Sequence, residues 1–265
     1  MRTNHEIDYK IYGEEMQYVE VELDPNESAI AESGSFMMMD DGLQMQTIFG
    51  DGSQKQENNS IFGKLLGAGK RLLVGESLFM TAFTNISHGK KKVSFASPYP
   101  GKIIPLDLLQ LGGKVICQKD AFLCAARGVS IGIDFQRRLG TGIFGGEGFI
   151  MEKLEGDGMA FVHAGGHVFE KTLDAGQTIK IDTGCLVALT QHVQYDIQFV
   201  GGIRNSIFGG EGLFFATLRG PGKVWIQTLP ISRLASRILS YGTVNRKEEG
   251  SILGGFGNLL DGDGH

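Results

Sequence analysis

The chain reads as an all-β protein built from three internal repeats, with one or two short helices. Three observations predict this. A six-residue word occurs twice, as Ile143-Phe144-Gly145-Gly146-Glu147-Gly148 and Ile207-Phe208-Gly209-Gly210-Glu211-Gly212, starting 64 residues apart (207 minus 143). The match runs on without a gap: Val129, Ile133 and Phe135 fall on Val193, Ile197 and Phe199, and Leu154, Gly156 and Phe161 fall on Leu218, Gly220 and Trp225. A weaker third copy, Gly75-Glu76-Ser77-Leu78-Phe79, lies earlier and stands for Gly146-Glu147-Gly148-Phe149-Ile150. Finally, 40 of the 265 residues are glycine, about twice the usual share of roughly 7%. They punctuate short apolar runs, as tight turns between strands require.

The elements follow in order. Residues 7–23 alternate apolar and polar and predict one or two strands, with a turn at Gly13-Glu14-Glu15. Asp24-Pro25-Asn26-Glu27 is a turn. Residues 29–49 carry the first unit, in which Phe36 falls on Phe122 and Gly42 on Gly128. Its Met37-Met38-Met39 run predicts a buried strand filled by adaptable side chains. Residues 50–59 are polar and loop-like. Residues 61–73 have the spacing of a short basic amphipathic helix, with Lys64, Lys70 and Arg71 off its apolar stripe. Residues 78–97 form a hairpin turning at Ser87-His88-Gly89-Lys90, and the prolines at 98, 100 and 105 predict an extended edge or linker segment between the first and second units. The second and third units each close in a hairpin, at Glu155-Gly156-Asp157-Gly158 and Arg219-Gly220-Pro221-Gly222. Apolar residues at 231, 234, 235, 238 and 239 predict a C-terminal helix capped at Ser232. The expected boundaries are a first β-unit at 1–100 with the basic insert at about 50–75, a second at 101–170 and a third at 171–230. A short helix at 231–246 and a flexible tail at 247–265, rich in Gly and Asp, complete one compact body.

Composition excludes several functions. A net charge of −5 argues against a nucleic-acid footprint, so RNA binding is disfavoured. No run of about 18 apolar residues predicts a membrane helix, and the polar N-terminus has no apolar signal core. A cytoplasmic location is expected. Cys117, Cys124 and Cys185 have no metal-knuckle or redox-motif spacing and read as buried apolar side chains.

Few residues suggest chemistry. Glu76, Glu147 and Glu211 share one repeat position between glycines, where a carboxylate can line a pore, bind a cation or accept turn N–H groups. With Lys64, Lys70 and Arg71 they are the candidate binding residues. His163 and His167, with Glu170, form the one cluster of metal-ligating types, but Gly165-Gly166 between them breaks the helix that an i, i+4 zinc pair needs. No nucleophile elbow or phosphate loop is present. No catalytic residue, metal or cofactor is assigned.

The stretch Gly101-Lys102-Ile103-Ile104-Pro105-Leu106-Asp107-Leu108, then Cys117-Gln118 and Ala121-Phe122-Leu123, together with the paired Ile-Phe-Gly-Gly-Glu-Gly words, resembles the AIM24 family, formerly DUF124. The resemblance covers about residues 15–235. It implies a double-stranded β-helix or β-sandwich, of the kind grouped with the tryptophan RNA-binding attenuator protein, and a trimer. The family's mitochondrial relatives are linked with inner-membrane organisation. The expected function is a non-enzymatic scaffold or binding protein, homo-oligomeric, meeting a membrane or protein partner through residues 61–73. The alternative is a cupin-like small-molecule or metal-binding enzyme using Glu147, Glu211 or His163 and His167.

Overall fold

The computed structural model describes residues 3–32, 34–49, 79–137, 149–200, 213–239 and 241. Their secondary structure is almost all β. In chain order the first eight strands are Asp8–Tyr12 (β1), Tyr18–Leu23 (β2), Ser28–Glu32 (β3), Phe36–Met39 (β4), Leu43–Phe49 (β5), Phe79–Asn85 (β6), Lys91–Ala96 (β7) and Gly101–Asp107 (β8). Then come Lys114–Gln118 (β9), Phe122–Ala126 (β10), Ser130–Arg137 (β11), Phe149–Glu155 (β12), Met159–Gly165 (β13) and Val168–Leu173 (β14). The last five are Thr178–Asp182 (β15), Leu186–Thr190 (β16), Gln194–Val200 (β17), Leu213–Arg219 (β18) and Gly222–Gln227 (β19). Helix α1 covers residues 231–239. The amides of Arg233 and Leu234 both donate to the Pro230 carbonyl. The helix therefore starts on Pro230, and Ser232 lies inside it rather than at the cap.

These strands make four antiparallel sheets, ordered β1-β2-β7-β4, β5-β6-β3-β10-β13-β8, β11-β12-β9-β16-β19-β14 and β15-β18-β17. The second sheet pairs β3 with β10, with Ala31 opposite Cys124, and the third pairs β9 with β16, with Cys117 opposite Ala188. Chain-distant segments are thus stitched into one sheet. The strand interrupted by proline, β8, lies at a sheet edge as its missing N–H demands.

Burial follows the sequence pattern. In β2, Val19, Val21 and Leu23 point inward while Tyr18, Glu20 and Glu22 alternate outward. The central strands β10 and β16 are buried at every position, which is why they read as continuous apolar runs (Phe122-Leu123-Cys124-Ala125-Ala126 and Leu186-Val187-Ala188-Leu189). Three apolar clusters result. One gathers Ile30, Met80, Leu106, Val162 and Trp225; another Val19, Phe83, Phe95, Leu123 and Phe161; the third Phe149, Met151, Leu186, Leu218 and Val224.

The methionine strand departs from expectation. Phe36, Met37, Met38 and Met39 are all exposed. The reason is topological: β4 is the last strand of the first sheet, so among the described residues only β7 pairs with it. Besides its ladder with β7, the Phe36 ring stacks on Phe83 with centroids 5.4 Å apart.

Candidate functional site

The six residues that the sequence nominates for binding, Glu76, Glu147, Glu211, Lys64, Lys70 and Arg71, lie outside the described residues. So does the amphipathic segment 61–73 that carries the expected membrane contact. The described residues offer other features.

His163 and His167 do not converge. β13 is buried on both faces, and His163 within it is 1% exposed, while His167 sits in the turn that follows. His163 Nε2 lies 3.1 Å from the Tyr99 carbonyl oxygen, and the Tyr99 ring meets the imidazole edge-on at 4.3 Å. Nε2 therefore carries the proton and donates. Nδ1 is buried and meets no hydrogen-bonding partner among the described residues. Burial holds the pKa of His163 down to about 4, against a partial upward pull from the Tyr99 carbonyl. The neighbouring Gly165 allows the tight approach that buries it, since a side chain there would run into the Leu229 carbonyl and the Tyr99 ring. Glu170 is engaged elsewhere: it accepts from Trp225 Nε1 at 2.9 Å and from Lys223 Nζ at 2.7 Å. Among the described residues no three metal-ligating side chains group together.

Cys117 and Cys124 are fully buried and burial pushes both thiols well up, so neither is an available nucleophile. Cys185 is half-buried, and its thiol is raised by burial and the Asp182 carboxylate.

Two carboxylates escape a sequence reading. Glu152 is fully buried on β12, opposite Cys117 of β9. Glu32 closes β3 next to the turn before β10. Burial raises its pKa to about 7, with Asp120 adding to the rise and Lys119 opposing it. The signal available for either is weak: a single carboxylate in an apolar run, as in Ile150-Met151-Glu152 and Ala29-Ile30-Ala31-Glu32.

An open groove of about 510 Å³ is lined by Glu6, Ile7, Asp8, Tyr9, Asp24, Glu27 and Met159. Lys90 reaches Glu22 at 2.7 Å, Asp8 at 3.4 Å and Asp24 at 3.7 Å, so part of its acidic wall is already countered. The groove offers no enclosure in which a small ligand is desolvated.

What remains is the free edge of β4. An edge strand presents a row of unsatisfied N–H and C=O groups, and charge, proline or a bulge normally guards it against unwanted pairing. Here β4 has a bulge between Phe36 and Met38 but neither charge nor proline, and its residues Phe36-Met37-Met38-Met39 are all apolar. At the far end of the topology β15 is likewise an edge, paired among the described residues only to β18. Where helix α1 passes β15, Arg233 Nη2 lies 3.5 Å from Asp182 Oδ2.

These features define an all-β protein with an apolar sheet edge exposed on its surface. The chain belongs to the AIM24 family, whose model, described as "Mitochondrial biogenesis AIM24", matches residues 9–229. It is 32% identical over 227 residues to an uncharacterized protein of Streptococcus pyogenes serotype M6, spanning 84% of this chain and 86% of that one. It also resembles the crystal structure of a Streptococcus pyogenes protein, with a TM-score of 0.67 at 28% identity, over 89% of this chain and 99% of that chain. Among the described residues no helix is long and apolar enough to cross a membrane.

Proposed function

We propose that the chain is a non-enzymatic scaffold or binding protein that works as a homo-oligomer, a trimer, and that each copy is a three-repeat double-stranded β-helix or β-sandwich. The observation that carries this reading is β4: four consecutive exposed apolar side chains on a sheet edge that no further strand pairs with among the described residues. Such a strand invites pairing with another chain and persists in a soluble protein when a partner covers it. The three-repeat reading is supported by strand pairing. Bulges fall between Phe36 and Met38, Phe122 and Cys124, and Leu186 and Ala188. The hairpins β5–β6, β11–β12 and β17–β18 recur around them. The basic segment 61–73 gives such an assembly its candidate contact with an anionic membrane surface or a protein partner.

Native mass spectrometry of the untagged protein tests this. The expected spectrum is a trimer without added mass. A monomer at micromolar concentration overturns the assembly. A reproducible adduct on every subunit overturns the scaffold reading in favour of a ligand carrier or enzyme.

A further inference from the structure

We infer that residues 3–5 form an acid-released latch: a proton on His5 frees the N-terminal strap and opens the end of the groove that the strap's continuation walls. The inference is independent of the assembly proposed above.

The strap lies in a built seat. Asp157, in the turn between β12 and β13, accepts from the Thr3 amide at 2.6 Å and from the Asn4 amide at 2.9 Å. With its side-chain oxygen facing the turn, Asn4 accepts from the Asp157 and Gly158 amides at 3.2 and 3.1 Å, and its side-chain nitrogen donates to the Gly128 carbonyl at 3.2 Å. Glycine makes the space, since a side chain at Gly128 or Gly156 would collide with Asn4. In the matching turns 64 residues on, His192 stands for Gly128 and Pro221 for Asp157. The one would fill the cradle and the other offers no carboxylate to the strap's amides. The seat is particular to this turn and is not carried by the repeated pattern.

His5 is the part of the latch that titrates. It closes the end of the β3–β10 ladder. There the Arg127 amide donates to the Ser28 carbonyl at 3.0 Å, and the His5 amide donates to the Arg127 carbonyl at 3.1 Å. His5 Nδ1 accepts from the Ser28 amide at 2.8 Å. Both ring nitrogens of an imidazolium are donors, so a proton on Nδ1 would point at the hydrogen of the Ser28 amide. Burial first, and the Arg127 charge second, hold the pKa of His5 below its ordinary 6.5. The latch is therefore fully closed above pH 6.5 and weakens as pH falls below it, because the released strap takes up the proton more readily.

The other charged groups about the strap answer differently. Burial alone would raise the Asp157 carboxyl, but the Thr3 and Asn4 amides outweigh it and set the pKa below 3.8, so Asp157 stays ionised at pH 5. Glu27, in the turn beside Ser28, is raised above 4.5 chiefly by burial. Its contribution grows as pH falls and opposes that of His5, so the strap's own amides report the latch better than overall stability does. Glu6, Asp8 and Asp24 line the groove beside it. Release reaches that groove directly. Glu6 and Ile7 join the latch to β1 and form part of the wall. Ile7 is buried in the cluster of Val19, Phe83 and Phe161. Once His5 lets go, this end of the groove widens and Ile7 becomes accessible.

Amide exchange of the full chain, corrected for the intrinsic rate at each pH, tests the latch. Protection of the Asn4 and His5 amides is expected to fall at least about threefold between pH 7.5 and pH 5, with a ceiling of about thirtyfold set by a free imidazole ionising at 6.5. His5→Asn puts a carboxamide oxygen in the place of Nδ1, which accepts from Ser28 and does not titrate. Its protection is expected to stay within about twofold over the same range. A parent whose protection does not change overturns the inference. Equal falls in parent and variant also overturn it, because another group then releases the strap. Should the variant fail to seat at pH 7.5, the parent decides alone. Deuterium uptake at the His5 ring carbon Cε1 reads the ionisation of that ring, with a midpoint expected below 6.5 and strap protection lost along the same curve. A midpoint at or above 6.5, or a ring that ionises while the strap stays protected, overturns the inference.

Discussion

At the scale of single residues, two buried titratable groups pull stability in opposite directions with pH. His163 ionises at about 4 in the folded chain against 6.5 when unfolded. Its contribution is complete above pH 6.5 and is lost as pH falls towards 4, because the unfolded chain takes up the proton first. Glu32 ionises at about 7 when folded against 4.5 when unfolded. Its contribution is complete below pH 4.5 and is lost as pH rises through 7, because only the folded chain still holds the proton. Between pH 4.5 and 6.5 the two offset each other. Glu32→Gln isolates the histidine. The change suits the site, because Gln118 ends β9 in the corresponding place and donates its amide to the Thr183 carbonyl at 2.9 Å. The variant is expected to lose about 1–2 kcal/mol between pH 6.5 and 4.5, where the parent changes little, and to exceed the parent by a similar amount at pH 8. Chemical denaturation across this pH range measures it. Parallel curves for parent and variant would mean that Glu32 titrates as an ordinary surface carboxylate. Neither group was legible as such in the sequence. The sequence shows the spacing of His163 to His167 and the glycines that argue against a metal pair, whereas the burial of His163 is set by packing against distant Tyr99 and Leu229.

At the scale of elements, turn words and alternation carried most of the information. The breaks at Gly13, at Ser87–Lys90 and at Gly156–Gly158 fall where the strands end, since these turns are local chemistry. Burial of β4 was misjudged for the opposite reason: apolar content does not reveal whether a strand has one neighbour or two. The N-terminal strap was missed altogether, because a polar N-terminus carries no docking signal. Asp157 Oδ2 accepts from the Thr3 amide at 2.6 Å and from Thr3 Oγ1 at 3.0 Å, and Oδ1 accepts from the Asn4 amide at 2.9 Å. His5 extends the strap by donating its amide to the Arg127 carbonyl at 3.1 Å, while His5 Nδ1 accepts from the Ser28 amide at 2.8 Å. Gly156, at φ +145°, leaves the space that the Asn4 side chain fills. Asp157→Ala is expected to free this strap while leaving the sheets intact. Hydrogen exchange should rise in residues 4–7 with global stability lowered by about 1 kcal/mol. Unchanged protection there would place the anchor in the backbone contacts alone.

At the scale of the whole molecule, the family and the all-β class were legible, and the function was not. The repeated words show that segments of the sequence resemble one another, and pairing across chain-distant segments is the step that leaves β4 at a sheet edge among the described residues. That step depends on which strands stand last in a sheet, and no stretch of sequence records it. The exposed edge has a thermodynamic consequence under the assembly proposed above. If oligomerisation covers β4, the folded state is linked to its own concentration, and dilution lowers the unfolding temperature. Met38→Asp with Phe36→Ser places a charge and a hydroxyl on the β4 edge and removes the Phe36 stack on Phe83. The variant is expected to unfold at a lower temperature that no longer depends on concentration, whereas the parent's rises over a hundredfold concentration range by several degrees. A parent midpoint that stays constant over that range, with no difference in concentration dependence between the two proteins, would show that β4 is stable uncovered and that the apolar edge waits for a different partner.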